Sequence, residues 1–161
     1  MLTHKHAIIS AAIGGLAWWK TRDPRTCAAA LIAGILPDAD HVADYAYYRW
    51  RGKHRLILPL HGYEYALAGG GLALVHDNRM MRVAVLSYLI HLLADQTENH
   101  THQFGYSFLF RAWHRFQIEE ISSIPEAAIR GREADIRLLQ KMFHRGVSLG
   151  LSFFYRRGAV E

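Results

Sequence analysis

Ionisable side chains break into the apolar stretches of this chain at four places, and that pattern constrains the fold more than any other feature. The interruptions are His4-Lys5-His6, Pro37-Asp38-Ala39-Asp40-His41, His61, and His91 with Asp95. A carboxylate or imidazole inside a greasy segment costs free energy unless a partner satisfies it. Segments that each carry such a group have reason to converge, and a shared divalent cation is the simplest common partner. The expectation is a metal site between helices, with metal-dependent hydrolysis as the leading function.

The segments themselves read as helices, and strand signals are nearly absent. His6, Ile9, Ile13 and Leu16 form one stripe of a helix running to about Trp19. Thr21-Arg22-Asp23-Pro24 is a turn, with Pro24 suited to the first turn of a second helix over about Arg25 to Ile35. That second helix is uniformly small and apolar, which predicts a central position. Further helices are expected over about His41–Trp50, His61–Val75 and Arg79–Asp95, with the exposed basic loop Arg51–Arg55 between the first two of these. Gly69-Gly70-Gly71 weakens its helix by about 1 kcal/mol per glycine relative to alanine, which suits a place where a neighbouring backbone comes very close. After a polar loop over Gln96–His102, the chain changes character. It offers a short aromatic-basic segment Phe108–Phe116, a short helix Ile124–Arg130, a break at Gly131-Arg132, and helices near Ala134–Phe143 and Val147–Tyr155. No internal repeat, low-complexity tract or linker interrupts the sequence. A single all-α domain over residues 1–161 is expected, a helical bundle with its motif-bearing core at 3–97 and a C-terminal helical segment at 103–161.

Composition narrows the chemistry. Eleven histidines are many for 161 residues, and histidine is the commonest metal ligand. The single Cys27 excludes an internal disulfide and any cysteine-based zinc cluster. Nitrogen and oxygen ligands remain, which suit Zn first and Mn, Fe or Ni as well. The formal net charge of +5 fits an anionic phosphoester, a phospholipid headgroup or nucleic acid, and fits an ordinary surface equally. No secretory signal is evident and no apolar run of about 20 residues is clean. The cytoplasm, or the cytoplasmic face of the inner membrane, is the expected location.

Each candidate ligand has a plainer alternative. His91 and Asp95 lie four apart on one helix face, so they can share a cation or simply hydrogen-bond to each other. Asp38 could cap the helix that follows, which leaves Asp40 and His41 without a role. His61 with Glu64 could bind metal, yet Glu64 in a first helical turn also answers the helix dipole, and that reading is preferred for it. His6 alone would pass for a core histidine. His4, His54, His76, His114 and His144 have charged or loop neighbours and read as surface residues. Taken together, three helix-borne histidines and a loop with two carboxylates supply five to seven ligands. That is enough for one or two cations.

Four of these motifs occur in an order that resembles a known family. They are Lys5-His6-Ala7-Ile8-Ile9-Ser10, Leu36-Pro37-Asp38-Ala39-Asp40-His41, Leu60-His61-Gly62, and Ser87-Tyr88-Leu89-Ile90-His91-Leu92-Leu93-Ala94-Asp95. The chain resembles the membrane-associated metal-dependent hydrolases, the YdjM-like group also called LexA-binding inner-membrane hydrolases. More remotely it is similar to the zinc-dependent phospholipase C and single-strand nuclease fold. That resemblance implies Asp38, His61, His91 and Asp95 around one cation, with Asp95 bridging to a second that also takes His6. Asp40 and His41 would be further ligands or supports, and Asp38 and Asp95 the catalytic carboxylates.

The chain departs from the family in places. Gly62 follows His61 where the family usually has serine, and the family's His-Arg-Gly element has only a loose echo in His54-Arg55. A third, phospholipase-type cation would need a His-x-x-x-Glu pair. None occurs, since Glu119 lies five residues after His114. Residues 103–161 take no part in the resemblance. Two other functions fit the same residues: a helical protein with a structural metal, and a membrane-peripheral module held by the aromatic-basic segments Arg49–Arg55 and Phe108–Arg115.

Overall fold

Capping residues set several boundaries of a fold that is mostly helical among the described residues. The structure, a computed structural model, describes residues 3–134, 136–137 and 141. Its first helix, α1, runs Thr3–Thr21 and stops where Arg22 turns left-handed at φ 57. α2, Pro24–Ile35, starts on Asp23, whose carboxylate accepts the Arg25 N–H at 2.9 Å. α3 covers His41–Arg51 and ends on Gly52 at φ 64, the left-handed cap that glycine adopts without steric cost. α4 is Tyr63–Val75, and α5, Arg79–Glu98, is capped by the Asn78 side chain. Two short helices follow, α6 at Phe108–Trp113 and α7 at Ile118–Ile121. No strand occurs among the described residues, only two isolated bridges, Arg55 with Gln117 and Thr101 with Ser122.

Three local expectations need correction. Leu36–Asp40 forms a 3₁₀ helix, because Pro37 has no N–H to lose in a first turn. Asp38 lies inside that element and does not cap α3. His61 precedes α4 and does not open it, since the extended Gly62 holds the cap position. α5 continues a turn beyond Asp95 to Glu98, so both of its candidate ligands are interior to the helix.

The chain divides into two compact units, residues 1–125 and 126–161. In the first, Ser10 and His6 of α1 meet Ser87 and Asp95 of α5, so these helices are antiparallel. Ala30 and Gly34 of α2 meet Ser87 and His91, so α2 runs parallel to α5 between α1 and α5. α4 packs antiparallel on α5, with the Ala73 carbonyl facing Arg82. The turns 21–23 and 76–78 therefore share one end of the layer, and the polar motifs share the other.

Small residues make the closest approaches. A Cβ on Gly34 would sit 1.8 Å from Ser10 Oγ and 2.7 Å from Ser87 Oγ, so three helices meet at a point only glycine allows. Of the glycine run, Gly69 alone is crowded, by the Val85 side chain at 3.0 Å and not by backbone; Gly71 faces open space. α2 is central as expected, yet Ile32 on its outer face is largely exposed.

In the second unit residues 126–134 are helical. The helix continues through Gly131-Arg132 where a break was expected, since one glycine lowers helix propensity without ending a helix. Most of the helix expected at Ala134–Phe143, all of Val147–Tyr155, and His144 lie outside the described residues.

Candidate metal centre

Four elements deliver ionisable side chains to one buried locus. His6 comes from the first turns of α1, Asp38 and Asp40 from the 3₁₀ helix, His61 from the loop before α4, and His91 and Asp95 from α5. His6, Asp40, His61, His91 and Asp95 are all buried, which explains why each interrupts an apolar stretch. His41, at the start of α3, keeps its side chain 44% exposed.

The contacts fall into two overlapping sets, each compact enough to hold a cation. His6, Asp38, His91 and Asp95 offer ligand atoms all within 4.8 Å of one another, and so do Asp38, His41 and His61. Asp38 belongs to both. Its Oδ1 lies 4.0 Å from His6 Nε2, 4.0 Å from His41 Nε2 and 3.9 Å from His91 Nε2. Those spacings are too long for hydrogen bonds and comparable to the distance between two ligands about 2 Å from a shared ion. Asp95 divides its oxygens: Oδ1 faces His6 Nε2 at 3.1 Å, while Oδ2 faces His61 Nε2 at 3.2 Å and His91 Nε2 at 3.6 Å. Asp40 stands outside both sets. Its Oδ2 accepts from His61 Nδ1 at 3.0 Å and from the Leu60 N–H at 2.8 Å, so it orients His61 from behind.

The tautomers follow from these partners. The Gly34 carbonyl can only accept, so His91 Nδ1, 2.9 Å away, carries the proton. The Asp40 carboxylate likewise fixes a proton on His61 Nδ1. Both Nε2 atoms then present lone pairs inward, and they lie 2.9 Å apart. Two lone pairs at that separation repel unless a cation or a proton sits with them. Burial disfavours a charged His61, but hydrogen bonds and charge from Asp40 and Asp95 outweigh it and raise its pKa. Burial, with His61 and His6 nearby, pushes His91 down to about 4. Burial also works against ionised Asp95, yet the bonds from His6 and His61 hold its carboxyl well below the usual range. Asp38 moves up, mainly through burial, with His6 and His41 pulling the other way. His6 Nδ1, Asp38 Oδ2 and Asp40 Oδ1 are buried without a hydrogen-bond partner among the described residues. A donor set of imidazole and carboxylate with unspent lone pairs could hold a metal cation.

Glu64 lies elsewhere. It accepts from Ser107 Oγ at 2.5 Å and from the N–H groups of Phe108 and Leu109, so it serves the N-terminus of α6. His4 and His76 are exposed, and His54 stacks on Tyr48. Tyr88 and Arg111 were not foreseen. The Tyr88 hydroxyl bonds Leu60 O, Gly62 O and Gly62 N, and burial raises its pKa to about 12. Arg111 reaches the carbonyls of Leu58 and His61. Tyr88 lies within the His91 motif, one helical turn before the histidine, but nothing in the pattern around Arg111 singles it out. Beside the centre, an apolar cavity of about 290 Å³ is lined by Leu36, Pro37, Leu60, Tyr65, Val85, Tyr88 and two alanines. No family model matches the chain, and no curated protein or solved structure is significantly similar to it.

Proposed function

We propose that this protein is a metal-dependent hydrolase acting on a phosphoester, with His6, Asp38, His61, His91 and Asp95 holding one or two divalent cations, zinc first among them. The observation that carries the reading is the pair of inward Nε2 atoms of His61 and His91, 2.9 Å apart and each fixed from behind. The four-motif resemblance to the membrane-associated metal-dependent hydrolases supports it. Bound there, the cation would polarise a phosphoryl oxygen and make water acidic enough to attack near neutral pH.

The chain's own residues do the rest. Asp40 and the Gly34 carbonyl hold the imidazoles in their ligating tautomers. A purely structural metal would be enclosed on all sides; the half-exposed His41 beside Asp38 instead leaves one side of the cluster facing outward. Within the phosphoester class, the apolar cavity next to Asp38 and His61 favours a lipid over a nucleic acid, because it can take an aliphatic chain and no charged side chain lines it.

Elemental analysis of protein purified without added metal tests the reading. One or two equivalents of divalent metal are expected, and Asp95→Ala should lose both the metal and any phosphodiesterase activity. Activity that survives chelation and metal removal would refute it.

A second reading adds to the first. Trp113 is 85% exposed, Leu109 and Trp50 also face outward, and the Arg51 guanidinium stacks 3.8 Å over the Trp50 ring. Aromatic and basic groups in this arrangement suit a phospholipid surface, so the protein would work as a membrane-peripheral hydrolase.

A further inference from the structure

His61 reaches the centre from a segment without secondary structure of its own, and that segment holds a bulky residue in a conformation L-residues avoid. Leu58 is buried with φ 35. A left-handed leucine persists only where its surroundings over-determine it. Here the decisive neighbour comes from α6. Arg111, completely buried, donates from Nη2 to the Leu58 carbonyl at 3.1 Å and to the His61 carbonyl. A single guanidinium nitrogen thus ties both ends of a turn that closes on itself through His61 N–H to Leu58 O at 3.1 Å.

Arg111 is itself held in register with this turn. The Tyr106 carbonyl accepts from Tyr63 N at 3.0 Å, the Phe116 carbonyl from Leu56 N at 2.9 Å, and Arg115 O from Arg55 Nη1 at 2.9 Å. The segment 106–117 therefore brackets the His61 loop on both sides. Meanwhile Arg111 Nε and Nη1 have no hydrogen-bond partner among the described residues. A buried cation with unused donors is a poor device for stability alone, since an apolar side chain of similar size would avoid its desolvation cost.

We propose that Arg111 is a positioning residue for the metal centre: it fixes the Leu58–His61 turn so that the imidazole lies with Nδ1 on Asp40 and Nε2 toward His91 and Asp95. The consequence for metal affinity rests on the reading of this cluster as a metal centre, whereas the placement of His61 is a property of the metal-free chain. Residues 106–117 supply no ligand, yet they decide where one of the ligands points.

Proton NMR and cobalt titration of the full chain test this with Arg111→Met, Arg111→Lys, His61→Gln and the double variant R111M/H61Q. In metal-free protein, the low-field resonance of the His61 Nδ1–H bonded to Asp40 is identified by its absence in H61Q. It should persist in the wild type and in R111K and vanish in R111M while helical circular dichroism is retained. R111M should bind Co²⁺ 10- to 100-fold more weakly, as expected when an outer support of a ligand is removed. R111K should recover most of that loss, and R111M/H61Q should bind no more weakly than H61Q. A resonance that survives in R111M, or a full further loss in the H61Q background, overturns the proposal. If the wild type takes up no cobalt, the metal-centre reading fails while the resonance still decides the role of Arg111. Should R111M not fold, Arg111→Gln, too short to span both carbonyls, replaces it with the same expectations.

Discussion

Between His61 and His91 lies a space that a proton or a metal can occupy, but not both. His61 has a raised pKa because its inward nitrogen faces Asp95 and its outward one Asp40, while His91 stays neutral down to about 4. Below the folded pKa of His61, metal uptake would have to displace its second ring proton. Above the folded pKa of His61, affinity should be flat with pH; below it, each unit of pH should weaken binding about tenfold. Calorimetry in two buffers of different ionisation enthalpy should detect close to one proton released per metal on the acid side. A release that is the same on both sides of that pKa would contradict the assignment. Much of this was legible in the sequence. The four-residue spacing put His91 and Asp95 on one face, and the cost of burying Asp38, Asp40 and His61 argued for a common partner. What spacing could not disclose was orientation. The Gly34 carbonyl and Arg111 act through where the backbone places them, and neither stands out as a residue type.

Helix boundaries show the same division. The start of α2 was readable to within a residue because Pro24 suits a first helical turn, while the Asp23 and Asn78 side-chain caps of α2 and α5 emerge from the structure. The start of α4 was misplaced by two residues because Gly62, not a capping side chain, marks it. Glu64 sits in the first turn of its own helix, as expected, and answers the N-terminus of α6 as well. Burial works against its charge, but hydrogen bonds from Ser107, Phe108 and Leu109 outweigh that and lower its pKa. A depressed folded pKa means the stabilisation is present above the unfolded value and is lost as pH falls through the folded one. Glu64→Ala should thus destabilise the fold by about 1 kcal/mol at neutral pH, the usual magnitude for a lost cap. The deficit should shrink in acid, below the ordinary glutamate range. Thermal melts of both proteins across pH check this, and metal stoichiometry should not change, since Glu64 touches no candidate ligand. Equal melting at neutral pH would remove Glu64 from the account of α6.

At the scale of the molecule, the helix seams and the outer surface have exchanged their usual characters. Ser10, Gly14, Thr26, Ala30, Gly34 and Ser87 line the buried seams, while Ile8, Leu16, Ile32, Leu67, Leu74 and Val75 face outward. Small residues inside and large apolar ones outside are how helices pack when lipid surrounds them. No described helix is long and apolar enough to cross a membrane. α4 is the clearest case: apolar all round beyond Tyr65, it has 13 residues, about 20 Å at 1.5 Å per residue, and so falls short of the roughly 30 Å hydrocarbon core. The sequence showed the apolar content but not its outward direction, because a helix that is apolar all round carries no periodicity to say which face is covered. Lysine and arginine at 20, 22, 25 and 79 lie at the end of the layer where its two turns meet, as do the exposed Trp18 and Trp19, while Arg82 there is paired with Asp77. Aromatic and basic side chains together at one end match an interfacial anchor. The protein should co-sediment with vesicles containing anionic phospholipid at low salt. Half-maximal binding should need more lipid as salt rises, because attraction between exposed charges is screened over about 10 Å at 0.1 M. Leu67→Glu and Leu74→Glu, which place charge on an outward face without entering the core, should reduce binding to the lipid while leaving metal content intact. Sedimentation that ignores both salt and these substitutions, or none at all at low ionic strength, would mean that this apolar surface does not meet a bilayer.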